Sequence, residues 1–184
     1  MELKSKYKVK GRVTAKCYDQ SGLSFVERLY NKVLSKLGLS KQTLLKFYRF
    51  GPLKWQDVKT NLICNAGFQV IGEILTGVYG GAGEINYCAL GDSATAVSTS
   101  DVALGNELYR NAIASGAVSA NITYLTAFFT ESECSGTYQE VGNFIDGGAG
   151  ADSGEIWTHA LTGGWVKSGT DALVVDFRYT SASS

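Results

Sequence analysis

Residues 85–110 read INYCALGDSATAVSTSDVALGNELYR, and the reading of the whole chain turns on this stretch. Ile85, Tyr87 and Ala89 alternate with Asn86, Cys88 and Leu90, the period-2 pattern of a strand. Gly91-Asp92-Ser93 is a turn signal, because Gly tolerates positive φ and Asp and Ser hydrogen-bond to their own backbone. A loop of Ala, Ser and Thr follows. Asp101 then stands as an N-cap before VALGNEL, which the pattern predicts as a short helical turn ending near Arg110. Strand, long loop and turn together predict a crossover.

Beyond Arg110 the pattern predicts strands over 111–115, 118–131, 138–146 and 156–161, with a closing strand within 166–179. In the last, Leu173, Val175, Phe177 and Tyr179 alternate with Val174, Asp176 and Arg178. Short strands at regular spacing, separated by glycine-rich turns, indicate a β-sandwich. Upstream, Tyr7, Val9, Val13, Ala15 and Cys17 fall on one face of a strand over 4–18, and Lys6, Lys8, Lys10, Arg12 and Lys16 on the other. A lysine row also discourages unwanted edge pairing. Ser24 is placed to cap a helix whose Phe25, Leu29, Val33 and Leu37 are spaced four apart, with Gly38 as its stop. Ser40 is placed to cap a second short helix that ends before Gly51-Pro52. This pair is predicted to pack on the domain or on a neighbouring subunit. A strand over 53–63 and an amphipathic helix from residue 65 to the glycines at 77–83 complete the approach.

The net charge of zero hides a division. Residues 1–60 hold 14 Lys+Arg against 4 Asp+Glu, and residues 61–184 hold 3 against 13. Such asymmetry points to a charged partner. Three readings follow from it: a basic arm docking on an acidic surface, possibly of another copy; a basic face neutralised within the monomer; and, last, nucleic acid. No apolar run approaches the roughly 18 residues of a membrane span. The basic N-terminus lacks the apolar core of a secretory signal, so the expected product is soluble and made in the cytoplasm. Cys17, Cys64, Cys88 and Cys134 are too scattered for a zinc site and read as free thiols.

Chemistry finds little support. His159 is the single histidine, lies inside a strand pattern, and has no G-x-S-x-G nucleophile turn to serve. Residues 147–152, GGAGAD, match one copy of a calcium-binding nonapeptide core that needs several stacked copies. Asp146, Asp152 and Glu155 remain as a weak cation candidate. Glu131 and Glu133 read as a solvated strand end. No cofactor or metal is expected.

Five segments carry a resemblance. NLICNAG at 61–67 resembles the N-L-I-x-N-A-G element of small structural proteins of tailed bacteriophages, and residues 85–110 resemble their Y-x-A-L-G … D-T-A-L-x-x-E-x-x-R segment. ITYLTAFF, YQEVGNFID and WVKSGTDALVVDFRYT resemble the strands that follow, in the same order, from Asn61 to the C-terminus. The usual proline of the long loop is absent here, and the helical stretch over 25–50 is this chain's own addition. The resemblance implies a virion component without catalytic activity: a tail, fibre or baseplate part, or a head-exterior decoration protein.

The expectation is therefore a mainly β chain, a β-sandwich with a helical N-terminal insertion and one further helix. Residues 1–60 form the basic strand and insertion, and residues 61–184 the sandwich body, one compact unit together with the strand over 4–18. The expected partners are other virion structural proteins and further copies of the chain, not nucleic acid, and the expected location is the virion. The expected contact residues are Lys4, Lys6, Lys8, Lys10, Arg12, Lys32, Lys36 and Lys46. The alternative is a host-receptor or carbohydrate-binding module using exposed aromatics near Trp157 and Trp165.

Overall fold

The computed structural model describes residues 7–183; Lys4 and Lys6, named above as contact residues, lie outside them. Eight strands follow one another: β1 (Tyr7–Asp19), β2 (Leu53–Ile63), β3 (Ile85–Gly91), β4 (Glu107–Ser119), β5 (Ile122–Phe129), β6 (Gly136–Ile145), β7 (Glu155–Lys167) and β8 (Asp171–Ser183). Three helices join them: α1 (Phe25–Lys36), α2 (Lys41–Phe47) and α3 (Asn65–Thr76). The chain is mainly β, as expected, but it is not a sandwich. The strands close into one barrel in the order β1-β2-β7-β6-β3-β4-β5-β8, every neighbour antiparallel. Nor is the N-terminal third an insertion into a finished body, because β1 and β2 are two of the eight staves.

Two strands make the difference by passing through both walls. β4 pairs with β3 up to Ala112, shifts register between Ile113 and Ser115, and continues against β5. Such a bulge bends a strand and lets it leave one sheet for another. β2 pairs with β1 as far as Asn61, then Leu62 and Ile63 pair with His159 and Thr158 of β7. Alternation and glycine turns are common to sandwiches and barrels; strand handover at two corners closes the barrel. The β2–β7 seam is short, and two tryptophans bridge it. Trp55 Nε1 donates to Val166 O at 2.9 Å, and Trp165 Nε1 donates to Asp57 Oδ2 at 2.9 Å.

The interior is one apolar core. Val13, Ala15 and Cys17 of β1 and Leu173, Val175 and Phe177 of β8 point into it, as their alternation predicted, and meet Leu125 and Phe129 of β5 there. Each large apolar side chain so buried contributes about 1.5–3 kcal/mol. Two smaller clusters lie outside the barrel wall. On β4, β5 and β8, Ala114, Phe128, Ala172 and Val174 are covered by Leu34 of α1 and Leu44 and Tyr48 of the α2 end. On β3, β6 and β7, Ala89, Phe144 and Ile156 pack with Cys64 and with Leu104 from the loop after β3.

The predicted crossover is corrected. β3 and β4 are antiparallel neighbours joined by a long loop, residues 92–106, and VALGNEL forms no helix: it runs from loop into β4. The apolar spacing of Val102, Leu104 and Leu108 imitates a helix, but only Leu104 is buried. α3 packs its Gly67 and Val70 inward; a Cβ on Gly67 would stand 2.3 Å from the Trp157 ring. It stops at Gly77 in the left-handed region, φ 72°. The α1–α2 pair leaves the barrel where β2 begins, and α3 where β2 ends. At about 3.3 Å per residue, the strand between them spans roughly 33 Å.

Candidate functional site

The outer face of β1 is cationic. Lys8, Lys10 and Arg12 are exposed, and each faces a residue of β8: Ala182, Thr180 and Arg178. Arg12 and Arg178 thus stand directly opposite one another, an arrangement in which like charges repel. Neither guanidinium forms an ion pair with another described residue. Further along, Lys16 pairs with Asp176 at 3.1 Å, so the uncompensated charge runs from Arg12 and Arg178 toward Lys8. A hollow of about 290 Å³ beside Arg12 and Arg178 is also lined by Tyr124, whose Cα partner is Arg178.

The helical pair adjoins this face. It covers Ala172 and Val174 of β8, and Arg178 projects from the same side of the strand, roughly 13 Å further on. α1 forms because Ser24 caps it: Ser24 Oγ accepts from Glu27 N at 3.3 Å and Glu27 Oε2 accepts from Ser24 N at 3.0 Å. Its grip on the barrel is narrow. Only Asn31 and Leu34 are buried, and Asn31 holds both the carbonyl and the amide of Arg49, at 2.7 and 2.9 Å. The stripe Phe25, Leu29, Val33 and Leu37 faces outward, Phe25 with 73% of its surface free. Lys32 and Lys36 of α1 and Lys46 of α2 are exposed and form no ion pair with a described residue.

Neutralisation within the monomer accounts for part of the charge. Lys16, Lys41 and Lys54 reach Asp176, Glu133 and Asp171 of the acidic portion. Lys8, Lys10, Arg12, Lys32, Lys36 and Lys46 do not take part. Arg12 and Arg178 are the strand cations toward the helical pair; Lys8 and Lys10 run on to the other barrel end, where Lys10 lines a hollow with Phe68 of α3. Arg178 and Tyr124 escaped the sequence reading. Alternation placed Arg178 outward, but only the pairing of β8 with β1 and β5 puts Arg12 and Tyr124 beside it.

Three buried charged or polar groups, Glu140, His159 and Arg110, hold loops. Glu140 is fully buried and accepts from Ser93 N (3.2 Å), Gly105 N (2.9 Å) and Asn106 N (2.8 Å), fastening both ends of the loop over 92–106. His159 completes the tie, with Nε2 2.8 Å from Glu140 Oε2 and Nδ1 2.7 Å from Asp101 Oδ2. Both ring nitrogens are occupied by carboxylates, so neither faces a nucleophile. Asp101, predicted as a helix cap, instead accepts from Ser98 N and anchors this loop. Arg110 binds Glu107 through two contacts of 2.5 and 2.6 Å, lies 4.5 Å over the Phe144 ring, and donates to Ser153 O. It thereby holds the glycine-rich loop over 147–153.

Asp146 and Glu133 are likewise committed, whereas Glu131 Oε2 is buried with no partner among the described residues. Asp146 accepts from Gly83 N, Tyr79 OH and Glu84 N, bonds that hold it below the usual aspartate range despite its desolvation. It does not gather with Asp152 and Glu155 into a cation site; among the described residues no such cluster forms. Glu133 is not a solvated strand end. Burial opposes its ionisation, yet the bonds from Lys41 and Thr130 prevail and hold it below its ordinary value. Lys167 is buried, and desolvation lowers its affinity for the proton; its ammonium donates to Glu133 O at 2.6 Å. The four cysteines are free, with burial pushing Cys17 to about 12 and Cys134 to about 11, values that leave little thiolate. Trp157 and Trp165 are themselves buried, and the exposed Phe68 ring meets Trp157 edge-on at 5.8 Å between centroids.

Among the described residues no helix is long and apolar enough to cross a membrane. Comparison with protein-family profiles, with curated proteins and with solved structures finds nothing that matches this chain.

Proposed function

We propose that this chain is a non-enzymatic structural component of a tailed-phage virion, docking on acidic neighbouring proteins through its basic side. The observation that carries the reading is the side itself: cations on β1 and β8 that no described carboxylate neutralises, adjoining a helix whose apolar stripe faces outward. Charge on such a surface speeds and orients encounter, and apolar burial holds the complex. The buried groups Glu140, His159 and Arg110 support the same reading, because each is spent on fastening a loop. The order of motifs over 61–184 supplies the virion as the setting. Mass spectrometry of purified particles, with antibody labelling of intact ones, tests it. The chain is expected in fixed stoichiometry with the other particle proteins. Its confinement to the lysate supernatant would overturn the reading.

A further inference from the structure

Two apolar patches are uncovered, and they sit at opposite ends of β2. The first is the α1 stripe. The second is the α3 end, where Ile74, Leu75 and Val78 are exposed, Leu75 with 81% of its surface free. Their electrostatic settings are opposite. Residues 20–50 carry Arg28, Lys32, Lys36, Lys41, Lys46 and Arg49 against Glu27 alone. Residues 61–106 contain no Lys or Arg and carry Glu73, Glu84, Asp92 and Asp101; from outside that segment, Lys10 of β1 lines a hollow with Phe68 at the start of α3. The loop over 146–154, at the same barrel end as α3, adds Asp146 and Asp152 and no cation.

We propose that the occupant of the α1 stripe is the α3 end of a second copy of this chain. The inference rests on the docking reading above and names one partner of that basic side. Charge complementarity selects the pairing. An α1-to-α1 contact would bring two cationic modules together, and an α3-to-α3 contact two anionic ones, each with like-charge repulsion at its rim. Apolar-with-basic against apolar-with-acidic removes both penalties. Because the two patches are different surfaces at different ends of one subunit, the contact is heterologous. It propagates head to tail into a ring or an open row instead of stopping at a two-fold dimer. Arg12 and Arg178, which line a separate hollow, stay free in this arrangement for a different neighbour.

The test uses the full chain in sedimentation velocity. One variant blocks the first patch, Leu29→Glu with Val33→Glu; the other blocks the second, Leu75→Glu with Val78→Glu. All four positions are exposed, and circular dichroism checks that each variant is folded. Wild type is expected to grow beyond the dimer with concentration. Each variant alone should remain monomeric, and an equimolar mixture should give a one-to-one dimer and nothing larger, since only one intact pair of ends meets. Raising salt should weaken that dimer at least tenfold. A second-patch variant that self-associates like wild type would overturn the inference in favour of α1-to-α1 pairing, and a monomeric wild type with an unreactive mixture would overturn it outright. Arg12→Glu with Arg178→Glu separates the two proposals: it should abolish uptake into particles and leave self-association intact. Uptake that persists in the absence of self-association removes only the head-to-tail contact.

Discussion

Replacing Glu140 with glutamine tests how the long loop after β3 is held. The carboxylate is fully buried, and its four neighbours are Ser93 N, Gly105 N, Asn106 N and His159 Nε2. Glutamine keeps one oxygen, which can serve Ser93 and Asn106 from the position of Oε1. Its amide nitrogen then replaces Oε2 and confronts the Gly105 N–H at 2.9 Å, donor against donor. Leaving that N–H unsatisfied costs about 1–3 kcal/mol, and exchanging charged for neutral acceptors costs about 1–2 kcal/mol more. The sum is about 2–5 kcal/mol. For a chain of this size each kcal/mol moves Tm by roughly 2–4 °C, so a fall of about 10 °C is expected. Calorimetry measures the fall, and amide hydrogen exchange places it: protection should drop at Ser93, Gly105 and Asn106 and persist in β1 and β8. An unchanged Tm with full protection at those three amides would refute the tie.

Gly67→Ala should destabilise by about 1–3 kcal/mol in urea unfolding, because its Cβ would press on the Trp157 ring at 2.3 Å; Gly72→Ala on the same helix, with open space around it, should not. Glu133, Asp146 and Asp171 all titrate below their ordinary values in the fold. The stability they contribute is full above the unfolded value, 4.5 for the glutamate and 3.8 for the aspartates, and is lost as pH falls through the lower folded values. Tm should therefore hold between neutral pH and about 5 and drop below about 4.5, with a shallower drop in Glu133→Gln. Arg110→Ala should release the loop over 147–153, seen as rapid proteolysis there, since its contacts to Ser153 O and Gly148 O are lost together.

Much of the local structure was written in short-range pattern. The lysine alternation of β1, the Ser24 cap of α1 and the glycine stop of α3 all depend on residues within a turn or two. The architecture depended on partners far away. β4 changes neighbours at Ile113–Ser115 and β2 at Asn61–Leu62, and neither position differs locally from a strand that stays in one sheet. VALGNEL misled because helical spacing and a loop with one buried leucine look alike over seven residues. The tie on residues 92–106 was invisible because Glu140 lies 34 residues beyond Asn106. The α1 stripe was legible as apolar, but its outward direction was not, since Asn31 rather than the stripe anchors the helix.

The proposed docking requires that the uncompensated cationic side of the barrel meet an acidic surface. The most direct measurement is the association rate of the purified chain with particles that lack it, followed as ionic strength rises. Long-range attraction predicts a rate that falls about tenfold or more from low to physiological salt, and a flatter dependence for Lys10→Glu with Arg12→Glu. A rate indifferent to salt, or identical in the reversed variant, would contradict it.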